Sequence, residues 1–306
     1  MVAGSNPARG ANFRDSMPPQ ICANASPILS RYNALICDVW GVVHDGGRAY
    51  PAAGEALARF RSAGGTVVLL SNSPMPSHAV VGVLDNKGVR RDIADAIVTS
   101  GDITQAHLAE HRISHVHHIG PDRDLVLFDG TGLTLTDLES AKAIVCTGLV
   151  DDIRHTAETY RPLLAKAHKA GLPLLCANPD MAVDVGGQRL PCAGVVAALY
   201  ESLGGKVIWA GKPHAVAFAR AIETIASLRG EAPPKRSILA IGDALGTDIA
   251  GAAQAGLDAL FIAQGIHHDE LMVDGRLLPE RLARFLGSAP RESVRTIIAT
   301  MPALVW

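Results

Sequence analysis

Residues 240 to 265 read AIGDALGTDIAGAAQAGLDALFIAQG. An apolar run stops at Gly242-Asp243, a second carboxylate follows at Asp248, and an alanine-rich stretch leads through Gly256 into another apolar run. Short continuous apolar runs separated by helical stretches are the pattern of a parallel sheet covered on both faces. The same rhythm occupies the N-terminal third: ALICDV at 34 to 39, AAGEALARFRSAG at 52 to 64, TVVLLSN at 66 to 72, SHAVVGVLDNKG at 77 to 88 and AIVTS at 96 to 100. Pro51 suits the first turn of a helix, where its missing N–H costs nothing, and Gly64-Gly65 and Gly88 suit C-terminal caps.

Between these two blocks lies a second α/β series. It runs through HVHHIG (115 to 120), LVLF (125 to 128), AIVCTGL (143 to 149), a helix over TYRPLLAKAHKAG (159 to 171) and PLLCANPD (173 to 180), returning at VIWAGKP (207 to 213). The expected fold class is therefore α/β: a Rossmann-like, doubly wound parallel core from residues 28–104 and 207–290, with an α/β domain inserted at 105–206. Residues 1–27 are expected to be a disordered N-terminal segment, with Met17 as an alternative start. Residues 291–306 are expected to be a tail or a docking helix ending at Pro302.

The 306 residues exceed the roughly 100–200 of a common single domain, which agrees with two units. Lys plus Arg number 28 against 30 Asp plus Glu, so no electrostatic case for nucleic acid or an acidic membrane surface arises. Aromatic residues are sparse and not interleaved with basic ones, which removes a base-stacking platform. Cys22, Cys37, Cys146, Cys176 and Cys192 form no CxxC pair and read as free thiols in a reducing compartment. No apolar stretch reaches the roughly 18 residues of a membrane span. The N-terminus has no signal-peptide core, and Asp15 counts against an organelle-targeting signal, so a cytoplasmic protein is expected.

Ligands of doubly wound sheets bind beyond the carboxyl ends of the strands, and polar residues gather there. They are Asp38 after ALIC, Ser71-Asn72 after TVVLL, Lys212 after VIWAG, and Asp243 with Asp248 after ILAIG. Singly, each is more often a turn or helix-capping residue. Jointly they can move a phosphoryl group. A carboxylate can attack phosphorus once anionic repulsion is reduced, Asp38 and Asp243 offer hard oxygen ligands to Mg2+, Ser71 and the backbone near Asn72 can bind phosphoryl oxygens, and Lys212 can neutralise charge.

These residues resemble the four motifs of the haloacid dehalogenase-like hydrolases, and among them the class with an inserted C2-type cap that includes p-nitrophenyl, sugar and pyridoxal phosphate phosphatases. The resemblance covers about Ile28 to Gly265 and is carried by DVWGVVHDG, LLSNSPMPS, CANPD, LPCAG, GKPHAVAF and the opening stretch. It implies a phosphatase of small phosphorylated metabolites, with Asp38 as nucleophile and metal ligand. The Trp40 backbone carbonyl and Asp243 would also face Mg2+, Asp248 would support the metal, Ser71 would bind phosphate and Lys212 would steady Asp38. A cap loop near Asn178 and Asp180 would approach the substrate or, as the favoured reading, be braced by them. Relatives with such caps often dimerise through them, which leaves a homodimer open for this chain.

One position departs from the family. Phosphatases of this class carry a second Asp two residues after the nucleophile, as general acid and then base, and here that residue is Trp40. An indole N–H cannot act as a base, and a positioned acid–base group contributes about 10²–10⁴-fold. Either His44 or Asp45 substitutes, or the substrate has a leaving group that needs no proton, or the scaffold binds a phosphorylated ligand with little turnover. Phosphonate and carbon–halogen cleavage by relatives keeps other hydrolysis in view. The histidines of HVHHIG have no third ligand at metal spacing, GTGLTLTD at 130 to 137 lacks a P-loop lysine and reads as a turn, and IHHDE at 266 to 270 is notable only for its place after the last core strand.

Overall fold

The computed structural model describes residues 19–185 and 187–306. Seven strands make one sheet in the order Gln20–Ile21, Ile297–Met301, Asp258–Ile262, Ile238–Gly242, Ala34–Cys37, Thr66–Ser71 and Ala96–Thr99. Every neighbouring pair is parallel. The continuous apolar runs follow from burial on both faces: Leu35 and Cys37 pack with Leu57, Phe60 and Leu84, while Ala34 and Ile36 pack with Phe218, Ala221 and Ile225. The helices Pro51–Ser62 and Ser77–Asn86 thus cover one face and Ala215–Arg229 the other. Strand order reverses between Ala34–Cys37 and Ile238–Gly242, so a crevice opens beyond their carboxyl ends, at Asp38 and Asp243.

A second, five-stranded parallel sheet runs Val207–Trp209, Leu174–Cys176, Ala143–Cys146, His115–Ile119 and Thr134–Leu135. Helices Arg161–Lys169 and Ala193–Ser202 pack on it through Leu164, Ala167, Val196 and Tyr200. Together with the antiparallel hairpin Ala182–Val185 and Gln188–Pro191, it forms the inserted cap.

Four expectations need correction. Of the segment expected to be disordered, residues 1–18 lie outside the described residues, whereas Gln20–Ile21 is the edge strand of the core sheet, and Cys22 N–H donates to the Thr300 carbonyl at 2.8 Å. Backbone pairing alone makes this edge, and Ile21 remains 37% exposed, so no apolar pattern announces it. The C-terminal stretch is not a tail: helix Arg291–Thr296 leads into strand Ile297–Met301, inside the sheet, with Ala299 and Met301 buried. The strand Val207–Trp209 belongs to the cap sheet, because it pairs with Leu174–Cys176 and the chain re-enters the core only after it. LVLF is a tight helical turn within Asp122–Phe128, its Leu127 and Phe128 plugging the cap interior; a four-residue apolar run does not reveal its own period.

Candidate active site

Asp38 follows its buried strand directly, and its backbone N–H donates to the Ile241 carbonyl of the neighbouring strand at 2.8 Å. Lys212 Nζ reaches Asp38 Oδ1 at 2.5 Å and Asp248 Oδ1 at 2.7 Å. Asp243 is held by the Ile266 N–H, which donates to its Oδ2 at 2.6 Å, and Asp248 Oδ2 accepts from the Ala244 N–H at 3.1 Å. Asp248 lies in the π-type turn Leu245–Ile249 that opens the alanine-rich helix. Two glycines let this cluster close. Gly41 has φ +83°, and a Cβ on it or on Gly265 would come within 2.1 and 1.8 Å of Asp243 Oδ2.

Oxygens of Asp38, Asp243 and Asp248 lie within 4.8 Å of one another, with Lys212 as the cation between them. Lys212, Asp243 and Asp248 are each only 3–4% exposed. Burial by itself lowers the Lys212 ammonium, but Asp248 and Asp38 outweigh it and hold its pKa well above the usual lysine range. Burial, then Asp38, then Asp248 push Asp243 well above the carboxylate range, and burial with Asp38 pushes Asp248 up to about 6. Three converging carboxylates against one ammonium crowd acidic groups into a largely buried site, which is why two of them titrate high. An oxygen donor set of this kind fits a hard divalent cation.

A cleft of about 1080 Å³ lies over this cluster, lined from the core by Asp38, Trp40, Ser71 and Lys212 and from the cap by Asn178 and Asp180. Ser71 Oγ accepts from the Ser73 N–H at 3.1 Å, which leaves its hydroxyl proton for an anion. Asn72 follows Ser71 at the same strand end, where the expectation set its backbone against a phosphate. Its side-chain amide is occupied by Lys212 and Asp180, the Lys212 N–H donating to Oδ1 at 2.7 Å and Nδ2 donating to Asp180 Oδ1 at 2.9 Å. Asn178 Oδ1 accepts from the Asp180 N–H at 3.2 Å, bracing the cap turn.

The indole of Trp40 lies under the flap that follows it. Gly46 has φ +91°, and a Cβ there would sit 2.4 Å from Trp40 Cζ2; Lys87 Nζ is 5.8 Å from the ring centroid and donates to the Gly46 carbonyl. His44 is 3% exposed and its ring meets Trp40 edge-on at 5.1 Å. Its Nδ1 accepts from the Gly46 N–H at 2.9 Å, and burial with nearby Lys87 lowers its pKa to about 4. Asp45 turns to solvent, where Oδ1 accepts the Gly47 and Arg48 N–H groups at 2.8 Å; the Arg48 N–H first of all keeps it below the usual range. The neutral imidazole and the ionised carboxylate are both poor proton donors at pH 7.

Two contributors were not found from the sequence. Ile266 acts through its backbone, which carries no residue signature, and Lys87 reads as a solvated lysine after a helix. His268 and Asp269 of IHHDE line the cleft. His117 and His118 lie elsewhere, beside an open hollow of about 490 Å³ in the cap, and their ring nitrogens meet the Thr136 carbonyl and Thr147 Oγ1. Among the described residues, Asp38, Asp243 and Asp248 are the one cluster arranged to hold a metal ion, and no helix is long and apolar enough to cross a membrane.

A family model described as haloacid dehalogenase-like hydrolase matches residues 35–134, and a HAD-hydrolase-like model matches 209–287. The solved structure of a haloacid dehalogenase-like hydrolase from Brucella suis 1330 is 39% identical, covers 93% of this chain and all of that one, and superposes with a TM-score of 0.79. The ribonucleotide monophosphatase NagD of Escherichia coli (strain K12) is 26% identical over 241 residues, 76% of this chain and 88% of NagD. A glycerol phosphate phosphatase from Mycobacterium tuberculosis, solved in complex with calcium, shares the fold at 24% identity and a TM-score of 0.60, over 78% of this chain and 68% of that one.

Proposed function

This chain belongs to the haloacid dehalogenase-like hydrolases, and from that premise we propose that it is a phosphatase of a small phosphorylated metabolite, working through attack of Asp38 on phosphorus. The observation that carries the reading is the ion-paired contact of Lys212 with Asp38 at 2.5 Å inside a buried acidic cluster, at the sheet's switch point. A binding protein has little use for a carboxylate so held.

Asp38, Asp243 and Asp248, with the Trp40 carbonyl, would hold a divalent cation, and Mg2+ suits these hard oxygen donors. When bound, that ion supplies charge neutralisation at the phosphoryl oxygens. Lys212 orients Asp38 and shares its charge, while the Ser71 hydroxyl donates to a phosphoryl oxygen. A carboxylate oxygen of Asp38 forms a bond to phosphorus as the ester P–O bond breaks, and water then cleaves the aspartyl-phosphate to regenerate the carboxylate. Trp40 donates no proton, and His44 and Asp45, which line the same cleft, have their pKa values lowered, which makes both weak substitutes as acids at pH 7. The leaving oxygen therefore departs as an anion, which favours aryl esters and acyl phosphates over alkyl esters.

A second reading, a phospho-ligand binding protein with reduced turnover, is favoured by Trp40 alone. One experiment separates them: hydrolysis of a panel of monoesters, acyl phosphates and phosphonates with Mg2+, wild type beside Asp38→Asn. Turnover of activated phosphates in the wild type, lost by at least about 10³-fold in Asp38→Asn, is expected. Equal turnover in both would refute covalent attack by Asp38, and a flat panel would leave the binding reading.

A further inference from the structure

Asn72 is 4% exposed, and its side chain is fully committed. Oδ1 accepts from the Lys212 N–H at 2.7 Å and from Ser100 Oγ at 3.4 Å, while Nδ2 donates to the Lys212 carbonyl at 3.1 Å and to Asp180 Oδ1 at 2.9 Å. The amide therefore grips both backbone polar groups of Lys212, the residue whose Nζ holds Asp38. A side-chain amide can do this in one orientation only. If it flipped, Nδ2 would face the Lys212 N–H and Oδ1 the Lys212 carbonyl, two repulsive pairs.

Asp180 reinforces that orientation from outside the core, because its Oδ1 accepts from Nδ2. It comes from the cap, 108 residues away in sequence. Glycines hold the junction at backbone distance. A Cβ on Gly211 would lie 2.4 Å from Asn72 Oδ1 and 2.9 Å from Pro179 Cδ, and one on Gly194 would lie 2.5 Å from the Asp180 carbonyl oxygen. The cap turn, the end of strand Thr66–Ser71 and the chain's return to the core thus meet at one point.

We propose that Asp180 is a positioning residue for Asp38. Seated from the cap, it fixes the Asn72 amide, which fixes the Lys212 backbone and so the Nζ contact to the nucleophile. Withdrawal of the cap turn removes this bond and loosens the amide, so full Lys212 alignment belongs to the cap position seen here. The kinetic part of this proposal rests on the hydrolytic reading above; the structural part rests on the hydrogen bonds alone.

The test compares the full chain carrying Asp180→Ala or Asp180→Asn with wild type, by Mg2+-dependent hydrolysis of 4-nitrophenyl phosphate and by hydrogen exchange at the Lys212 amide. In Asp180→Ala, kcat falls about tenfold with KM changed less than about twofold, and Lys212 amide exchange accelerates about tenfold. Asp180→Asn keeps an acceptor for Nδ2 and restores both to within about threefold of wild type. Adding Asp180→Ala to Asn72→Ala has no further effect. If Asp180→Ala does not fold, Asp180→Ser, too short to reach Asn72, takes its place. Unchanged Lys212 exchange in the shortened variant overturns the proposal, as does a KM increase at wild-type kcat, which would mark direct substrate contact. A wild type inactive on every phosphate ester defeats the hydrolytic reading alone, and amide exchange then decides the positioning.

Discussion

Trp40 stands two residues after Asp38, where the resemblance leads one to expect an acid, and its consequences are specific to that residue. Its indole is held between the His44 ring and Lys87, and Gly46 leaves no room for a Cβ against it. Trp40→Asp should raise kcat for alkyl phosphates by about 10²-fold and for 4-nitrophenyl phosphate far less, since a positioned acid helps most where the leaving group is basic. Equal gains on both would show that the indole limits something other than proton transfer. His44 is the second residue-scale case. Its folded pKa, about 4, lies below the unfolded value of 6.5, so the unfolded chain takes up a proton first as pH falls. The stability it contributes is complete above pH 6.5 and is lost as pH falls through 4, by about 1–3 kcal/mol. His44→Gln should flatten the fall in unfolding free energy between pH 7 and 4.5 by that amount, measured by denaturant titration. Curves parallel to wild type would place the proton uptake elsewhere.

At the scale of elements, the two chain ends change the picture of the core. The strand Ile297–Met301 lies between Asp258–Ile262 and Gln20–Ile21, so the C-terminus completes the sheet instead of docking on it. Ala299→Asp places an unpaired carboxylate at a 3% exposed position and should destabilise the fold by about 3 kcal/mol or more, whereas Ile21→Asp on the exposed edge should cost less than about 1. Comparable unfolding midpoints for the two variants would contradict the sheet order. Strands buried on both faces announced themselves in the sequence as apolar runs, because each side chain has somewhere apolar to go. Gln20–Ile21 did not, since an edge strand is held by backbone pairing, and Val207–Trp209 was legible as a strand but not as a strand of the cap.

For the whole molecule, the active site is a local concentration of like charge that folding tolerates. Asp243 and Asp248 are buried beside Asp38 with one lysine among them, which costs stability and sets together the oxygens of the proposed cation site. In chelator, Asp243→Asn should therefore be more stable than wild type by about 1 kcal/mol. Saturating Mg2+ should reverse the order, because binding at 100 times Kd adds about 2.7 kcal/mol to the wild type and less to the variant. Thermal unfolding with and without Mg2+ reads this directly; wild type and variant shifting equally would remove Asp243 from the cation site.

The sequence by itself determined the α/β rhythm, the inserted unit and the places of Asp38, Ser71, Asp243 and Asp248, because each carboxylate or hydroxyl follows a strand whose apolar run is written locally. Only the tertiary structure decided what those residues touch. Lys212 arrives from the edge strand of the cap sheet, 174 residues from the aspartate it holds, and the Asn72 side chain pairs with Lys212 and Asp180. Buried polar groups must all find partners, and which partner each one finds depends on the elements that meet around it, which no local pattern records.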